Sequence, residues 1–593
     1  FLQGLPKEGM PLAQARQVSG LSAATFTLGE KRGWLKKVQV EQYRVPMATV
    51  ATTDHEVTLT GEQEQAVAAI RQAVTAGDST PFLLKGVTGS GKTEVYLRAM
   101  AAALEQGKRA LMLVPEISLT PQVVQRVRAR FGRQVAILHS GLSNGERYDE
   151  WRRIRAGEVQ VVVGTRSAIF APLDQLGLIV IDEEHEGSYK QEDAPRYQAR
   201  EVAKWRAKYH QAALVLGSAT PSLESYARAK TGAYHLLTLT KRVNQRPLPP
   251  IQVVDMRQEP RQGGESNFSR SLLAALGDRL ARREQGILLL NRRGFSSFMM
   301  CRDCGFVLKC PNCDISLTLH LATRSMKCHY CGHEEPIPAR CPNCASRQIR
   351  YYGTGTEKVE AELAQRLPGA RVIRMDVDTT RRKGMHEKLL RRFGAHEADI
   401  LLGTQMIAKG LDFPNVTLVG VLNADTGLEL PDFRSGERTF DLLSQVSGRA
   451  GRAEKAGQVV IQTYNPTNYV IQLAQAHDYE RFFATEMRLR QQAQYPPYFY
   501  SVRLLASSPS EKEAASLMQQ VATRLHGQLA AETVVLGPTP RAIARIKNRY
   551  YYQIVIKYRT DPALAPLLAT LQQETQALGE ARFVIDPDPQ YFM

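Results

Sequence analysis

Outside residues 301–344 the chain has no cysteine. That gap excludes a dispersed disulfide framework and points to a reduced interior in which the clustered thiols act as metal ligands. No apolar run reaches the roughly 18 residues that a membrane span needs, so no membrane partner is expected. A charged leader followed by an apolar stretch is missing too, which leaves the cytoplasm as the expected location. The chain opens on Phe1 rather than Met, from which a missing N-terminal portion is expected. Acidic residues are in short supply: 59 Asp and Glu stand against 77 Lys and Arg, a formal charge of +18. Such an excess favours a polyanionic partner such as nucleic acid, through phosphate neutralisation and counterion release; a basic solvated face is the plainer alternative.

What is present divides the 593 residues into several domains, at about 100–200 residues each. Residues 1–50 are basic and read either as a small helix-turn-helix with a wing (VQVEQ) or as an irregular lead-in. From 55 to 230, near-continuous apolar runs (PFLLKG, RALMLVP, VAILHS, VQVVVGT, LGLIVIDE, AALVLGSAT) alternate with helical stretches. This pattern predicts a parallel sheet covered on both faces. Residues 231–300 read as a linker, with KRVNQRPLPP at 241–250, followed by the start of a second α/β lobe at GILLLNRRG. A cysteine insertion fills 301–350, and the lobe continues over 351–478 through RVIRMD, ADILLGTQ, VTLVGVLNAD and GQVVIQT. The β-α-β-β-α-β order over 480–593 predicts a small split-βαβ domain that binds DNA or a partner. The expected class is α/β, two parallel-sheet lobes with appended modules.

GVTGSGKT (86–93) sits between an apolar strand and a helix, the context that the pattern G-x-x-x-x-G-K-[ST] requires. Gly86, Val87, Thr88, Gly89, Ser90 and Gly91 form a loop whose N–H groups point at phosphate oxygens; Lys92 meets the β and γ phosphates and Thr93 offers a hydroxyl to Mg²⁺. The chain is therefore expected to bind a nucleoside triphosphate. LIVIDEEHEG (178–187) ends a buried strand in acids, with Asp182 expected to hold Mg²⁺ through water and Glu183 to polarise the attacking water. In SQVSGRAGR (444–452), Gln445, Arg449 and Arg452 are spaced to share one face of a helical turn, where an arginine stabilises transition-state charge on the γ-phosphate. GTQMIAKGLDFP (403–414) ends a strand in Thr404-Gln405 and continues into a loop for phosphate or a nucleic-acid backbone; Gly410 and Asp412 are its nucleotide-site candidates.

The cysteines form four C-x-x-C pairs: Cys301/Cys304, Cys310/Cys313, Cys328/Cys331 and Cys341/Cys344. Each supplies two thiolates to a tetrahedral corner, so two pairs complete one zinc site. Fourteen residues separate Cys313 from Cys328, room for a ribbon hairpin, which favours Cys310, Cys313, Cys328 and Cys331 on one zinc and Cys301, Cys304, Cys341 and Cys344 on the other. Sequential pairing is tighter and stays open at this stage. His320, His329 and His333 read as bystanders, since thiolates fill both sites.

GVTGSGKT, LVPEISLTPQ, DEEH, GSAT, GTQMIAKG and QVSGRAGR, in this order, resemble superfamily 2 helicases. LHSGLSNGER, VVGTRSAIFAPL, LNRRGF, GTGTEKVE and the cysteine insertion bring the chain close to the PriA family of bacterial replication-restart helicases. The resemblance covers the chain from about residue 55 onward. It implies two RecA-like lobes closing on ATP and Mg²⁺, 3′-to-5′ movement on single-stranded and forked DNA, two Zn²⁺ in the nested arrangement, and a place in the nucleoid. It further implies single-stranded-DNA-binding protein and helicase-loading primosome proteins as partners, and Gln63 as the adenine-reading glutamine. The resemblance also implies an N-terminal domain that captures DNA 3′ ends, which is expected to lie outside these residues. Some members carry a tryptophan in the loop after the acidic box; here the loop reads YKQEDAPRYQAR with Pro195, leaving Tyr189 and Tyr197 as stacking candidates, with Lys190 and Arg196 beside them for DNA. A fork-binding platform with secondary ATPase and an RNA helicase are the alternative readings.

Overall fold

The computed structural model describes residues 10–38, 44, 57–115, 121–259, 266–291, 298–301, 306, 308–312, 317–320, 325–328, 333–347, 349–352, 355–380, 384–408, 413–428, 430, 432–451, 455–575 and 580–592. Among them, no helix is long and apolar enough to cross a membrane.

Near the N-terminus, helices Leu12–Ser19 and Ala23–Lys31 are joined through Gly20, which closes the first in a left-handed turn (φ 67°). Of the predicted wing VQVEQ (38–42), Val38 is exposed and in no strand, and residues 39–42 lie outside the described residues.

The first lobe is a seven-stranded parallel sheet: β1 (Phe82–Gly86), β2 (Arg109–Leu113), β3 (Val135–Leu138), β4 (Val161–Gly164), β5 (Leu176–Asp182), β6 (Ala213–Ser218) and β7 (His235–Leu239), in spatial order β3-β4-β2-β5-β6-β1-β7. Its strands are apolar on both sides because helices cover both faces; Val161, Val162 and Val163 are all fully buried. The sheet outruns the sequence boundary at 230, since β7 pairs with β1 along Phe82↔His235 to Gly86↔Leu239. β7 lies at the sheet edge, where much of HLLTL stays exposed, so it lacks the continuous apolar signal of its neighbours.

The second lobe is built on β8 (Ile251–Asp255), β9 (Gln285–Leu289), β15 (Val372–Met375), β16 (Ile400–Gly403), β17 (Val416–Val421) and β18 (Gln458–Thr463). They form a six-stranded parallel sheet in order β15-β16-β9-β17-β18-β8. β8, an edge strand absent from the sequence reading, precedes β9, so the cysteine insertion follows the second strand of this lobe rather than the first. The insertion holds β10 (Phe298–Cys301) paired antiparallel with β14 (Ile349–Tyr352), and a three-stranded sheet of β11 (Thr318–His320), β12 (Ser325–Lys327) and β13 (Glu334–Pro336). Helix Tyr479–Gln492 packs Tyr479 and Phe482 into the core shared by the two lobes, so it belongs with them and not with the C-terminal sheet, where the sequence boundary at 480 puts it.

The C-terminal sheet, β19 (Tyr500–Ser508), β20 (Val534–Ile546), β21 (Arg549–Tyr558) and β22 (Arg582–Pro587), runs β20-β21-β19-β22 and is antiparallel throughout. Helices Glu511–Leu525 and Leu564–Glu574 contribute Met518, Val521 and Leu571 to its core with Leu504, Ile554 and Ile556. This is the split-βαβ arrangement that the element order predicts. The tip of β20–β21 reaches the cysteine module: Asn548 N–H donates to Asn312 O at 2.8 Å, and Ile546 packs on the module's core of Met299, Leu308, Leu317, Met326 and Ile349.

Candidate functional site

β1 delivers Gly86 to the loop that precedes helix Lys92–Glu105. Gly89 and Gly91 adopt φ 86° and 81°, a left-handed backbone that favours glycine. A Cβ on Gly86 would come within 2.6 Å of Ser90 Oγ, and one on Gly91 would collide with Gln63 Nε2, so the loop admits no side chain at either position. Lys92 Nζ donates to Gly86 O at 2.8 Å, while Ser90 Oγ is buried with no hydrogen-bond partner. An inward-facing donor without a partner, beside a cation at a helix N-terminus, fits an anion.

Gln63 is 3% exposed and fully engaged. Its Oε1 accepts from Thr60 N–H at 2.8 Å in a capping box, and its Nε2 donates to Ser90 O at 2.8 Å. As placed, it braces the phosphate loop, with both amide atoms already engaged within the protein.

At the end of β5, Asp182 Oδ1 accepts from Tyr96 OH at 3.0 Å. Burial, then the charge of Glu183, push the Asp182 carboxyl up to about 6, against the pull of Lys92. Glu183 adopts φ 47° and buries Oε2 with no hydrogen-bond partner. His185 Nδ1 stands 3.7 Å from that oxygen. Two crowded carboxylates, one raised and one with an oxygen that accepts no hydrogen bond, suit a hydrated dication. Asp182 and Thr93 would hold Mg²⁺, and Lys92 with the 86–91 loop would hold the phosphates. Glu184 serves the scaffold instead. Wholly buried, it accepts from Arg200 at 2.8 Å and from Ser222 N–H at 2.7 Å, tying β5 to the turn after β6.

His185 joins the lobes. Its Nδ1 lies 2.7 Å from Ser218 Oγ at the end of β6, and its Nε2 lies 2.7 Å from Gln445 Nε2 on helix Ser435–Ser447 of the second lobe. That helix ends at Ser447, so Gln445 lies on it and Arg449 in the turn beyond. The single helical face expected for Gln445, Arg449 and Arg452 therefore does not extend past Ser447. Gly448 presses against the phosphate loop, where a Cβ would meet Thr88 Cβ at 2.8 Å. Arg449, partly buried, follows it immediately. Arg452, Gly410 and Asp412 lie outside the described residues.

Sequence reasoning misses Arg242, which falls in the apparent linker. It is 5% exposed and donates to Thr88 O (3.2 Å), Gly448 O (3.2 Å) and Gly451 O (3.4 Å), clamping the phosphate loop to the arginine turn. It also misses a buried charge cluster joining three parts of the chain. Arg434 meets Glu224 at 2.8 Å, and Arg490 meets Glu437 at 2.7 Å and Glu224 at 3.0 Å. Burial opposes the charge on Glu437, but Arg490 and Arg434 overcome it and hold the carboxyl well below the usual range. No local signal marks such a cluster, because its members are brought together only by lobe packing.

The DNA candidates separate. Tyr189 is 1% exposed and donates to Asp182 O at 2.7 Å, so it presents no face to a base. Lys190 is 3% exposed and ion-paired with Asp586 of the C-terminal domain at 3.1 Å, with Nζ also on Pro587 O. Both are structural as placed, and neither is offered to DNA. Arg196 and Tyr197 remain partly exposed; Tyr197 stands edge-on to Phe170 (4.8 Å) with Arg166 over its ring.

In the cysteine module, Cys301, Cys341 and Cys344 bring their thiols within 4.8 Å of one another, and Cys301 Sγ lies 3.6 Å from Cys344 Sγ. Zinc–sulfur bonds of about 2.3 Å place tetrahedral sulfurs roughly 3.8 Å apart, so these residues fit zinc. The cluster joins the first C-x-x-C pair to the last. Three pairs repeat one turn: Cys301 N–H donates to Phe306 O, Cys328 N–H to His333 O and Cys341 N–H to Ser346 O, each at 2.8 Å. Cys310 and Cys328 are both buried, while Cys304, Cys313 and Cys331 lie outside the described residues, as do His329 and the side chain of His320. His333 turns to Glu335 at 3.2 Å.

Four families match parts of the chain: DEAD/DEAH box helicase (60–229), helicase conserved C-terminal domain (344–454), the PriA DNA helicase Cys-rich region (310–336) and the primosomal protein N C-terminal domain (491–590). The replication restart protein PriA of Bacillus subtilis is 55% identical over 588 residues, 98% of this chain and 73% of that protein. Its namesakes in Synechocystis and Treponema pallidum are 46% identical over 98% of this chain and 70% of theirs, and 42% identical over 90% and 80%.

Proposed function

The chain belongs to the family of replication restart protein PriA, and from that premise we propose that it is a DNA helicase that hydrolyses ATP, moves 3′ to 5′ and remodels stalled forks to restart replication. The observation that carries the ATP-driven part is the junction of Thr88, Gly448 and Arg242, where the phosphate loop of one lobe touches the arginine turn of the other. A nucleotide held there would be sensed by both lobes at once. Lys92 holds the phosphates, Glu183 takes a proton from the attacking water, and Arg449 neutralises charge developing on the γ-phosphate. Mg²⁺, when bound at Asp182 and Thr93, supplies further neutralisation of phosphate oxygens. Single-stranded DNA should stimulate the ATPase well beyond what RNA of equal length achieves; equal stimulation by the two would overturn the DNA assignment.

The cysteine module is proposed to hold two Zn²⁺ in the nested arrangement. Cys328→Ser is then expected to release the inner ion and leave Cys301, Cys304, Cys341 and Cys344 metallated, so metal analysis should fall from two zinc ions to one per chain. DNA-stimulated ATPase should survive, because the ATP site is built from other strands, while strand separation should drop as a small zinc-dependent module loses its fold. Loss of ATPase in step with zinc would show instead that the module props up the second lobe.

A further inference from the structure

Helix Ala199–His210 leaves the nucleotide site and runs over the outer face of the first lobe. Its inner side is conventional: Ala199, Ala203 and Ala207 are fully buried. Its outer side is not. Trp205 and Tyr209, one turn apart, are 65% and 70% exposed, and their rings lie nearly parallel (11°) with centroids 5.3 Å apart. Phe170, 55% exposed, borders the same hollow of about 550 Å³. Large aromatic rings grouped in water on one face mark a contact surface rather than ordinary solvent-facing residues.

Two observations identify what covers it. The first is charge: Lys204 is paired with Glu201 at 2.5 Å and Arg206 donates to Ile169 O and Ala171 O, which leaves the exposed Lys208 as the cation that the helix turns to solvent. The second is continuity. Phe170 meets Tyr197 at 4.8 Å, Tyr197 lies beneath Arg166, and Tyr209 stands edge-on to His210 at 5.0 Å. Phe170, Trp205 and Tyr209 thus border one hollow, with Arg166 over Tyr197 beside Phe170 and Lys208 in the last turn of the helix. Flat rings with cations beside them are the elements of a stacking platform for single-stranded nucleic acid.

We infer that Phe170, Trp205 and Tyr209 form a binding site for single-stranded DNA on the outer face of the first lobe, with bases stacked on the rings and phosphates met by Lys208. The inference rests on the DNA-binding reading above. Trp34, Trp151 and Trp205 are the chain's three tryptophans, so a Trp34→Phe/Trp151→Phe background leaves Trp205 as the sole indole reporter. Titration with a thymidine homo-oligonucleotide should quench its fluorescence. In the otherwise native chain, Trp205→Ala with Tyr209→Ala should weaken affinity for that oligonucleotide about tenfold or more, while ATPase without DNA stays unchanged. Unaltered affinity with no quenching would overturn the site. Unaltered affinity with weakened self-association in sedimentation would give the face to a second copy of the chain and overturn it equally. Failure of the unsubstituted chain to bind the oligonucleotide at all would fall instead on the DNA-binding reading.

Discussion

Glu183→Gln is expected to bind ATP and fail to cleave it, with kcat lowered roughly 10²–10⁴-fold, the range that a positioned general base contributes. The substitution is nearly isosteric, and the buried Glu183 oxygen that lacks a hydrogen bond, with His185 Nδ1 3.7 Å away, becomes part of an amide that cannot accept a proton. The phosphate loop, Lys92 and Asp182 are untouched. Nucleotide affinity measured by equilibrium binding should therefore stay within a few-fold of the unsubstituted chain. Lys92→Ala gives the contrast: it removes the cation beside the loop, so affinity and turnover should fall together. Turnover near the unsubstituted level in Glu183→Gln would remove Glu183 from the chemistry.

Arg449→Ala should lower kcat by roughly 10³-fold or more if the side chain neutralises transition-state charge, with little change in KM for ATP. A rise in KM alone would make Arg449 a ground-state contact. Its placement also predicts an indirect route to the same defect. Gly448 lies so close to Thr88 that an added Cβ would approach within 2.8 Å. Gly448→Ala should push the arginine turn off the phosphate loop and depress kcat without removing any charged group, whereas Gly277→Ala, on helix Arg270–Ala281 with open space around it, should leave kcat alone.

Much of this architecture is legible in the sequence where burial is two-sided. VQVVVGT and LGLIVIDE announce central parallel strands because both of their faces are covered. β7 and β8 escape notice because edge strands need not be apolar throughout. The phosphate loop is readable because its glycines answer local backbone demands at Gly89 and Gly91. The contacts of Gln63, Tyr189 and Lys190 are not legible for the opposite reason: each is made only in the fold, with Ser90, Asp182 and Asp586 respectively. Arg242 is the sharpest example, an apparent linker residue whose partners lie more than 150 positions away in both directions.

The docking of the β20–β21 tip onto the cysteine module has a consequence for the order of biosynthesis. Residues 301–344 leave the ribosome roughly 200 residues before Ile546, an interval on the order of ten to forty seconds at 5–20 residues per second. During that time the apolar group around Met299, Leu308 and Met326 lacks the side chain that later covers it. A zinc-dependent module of this size is expected to capture its metal early and to be held by it until the hairpin arrives. Under zinc starvation the module is therefore expected to stay open to proteases through that interval, so the defect should appear as a lower level of the protein rather than as a lower ATPase activity per surviving chain.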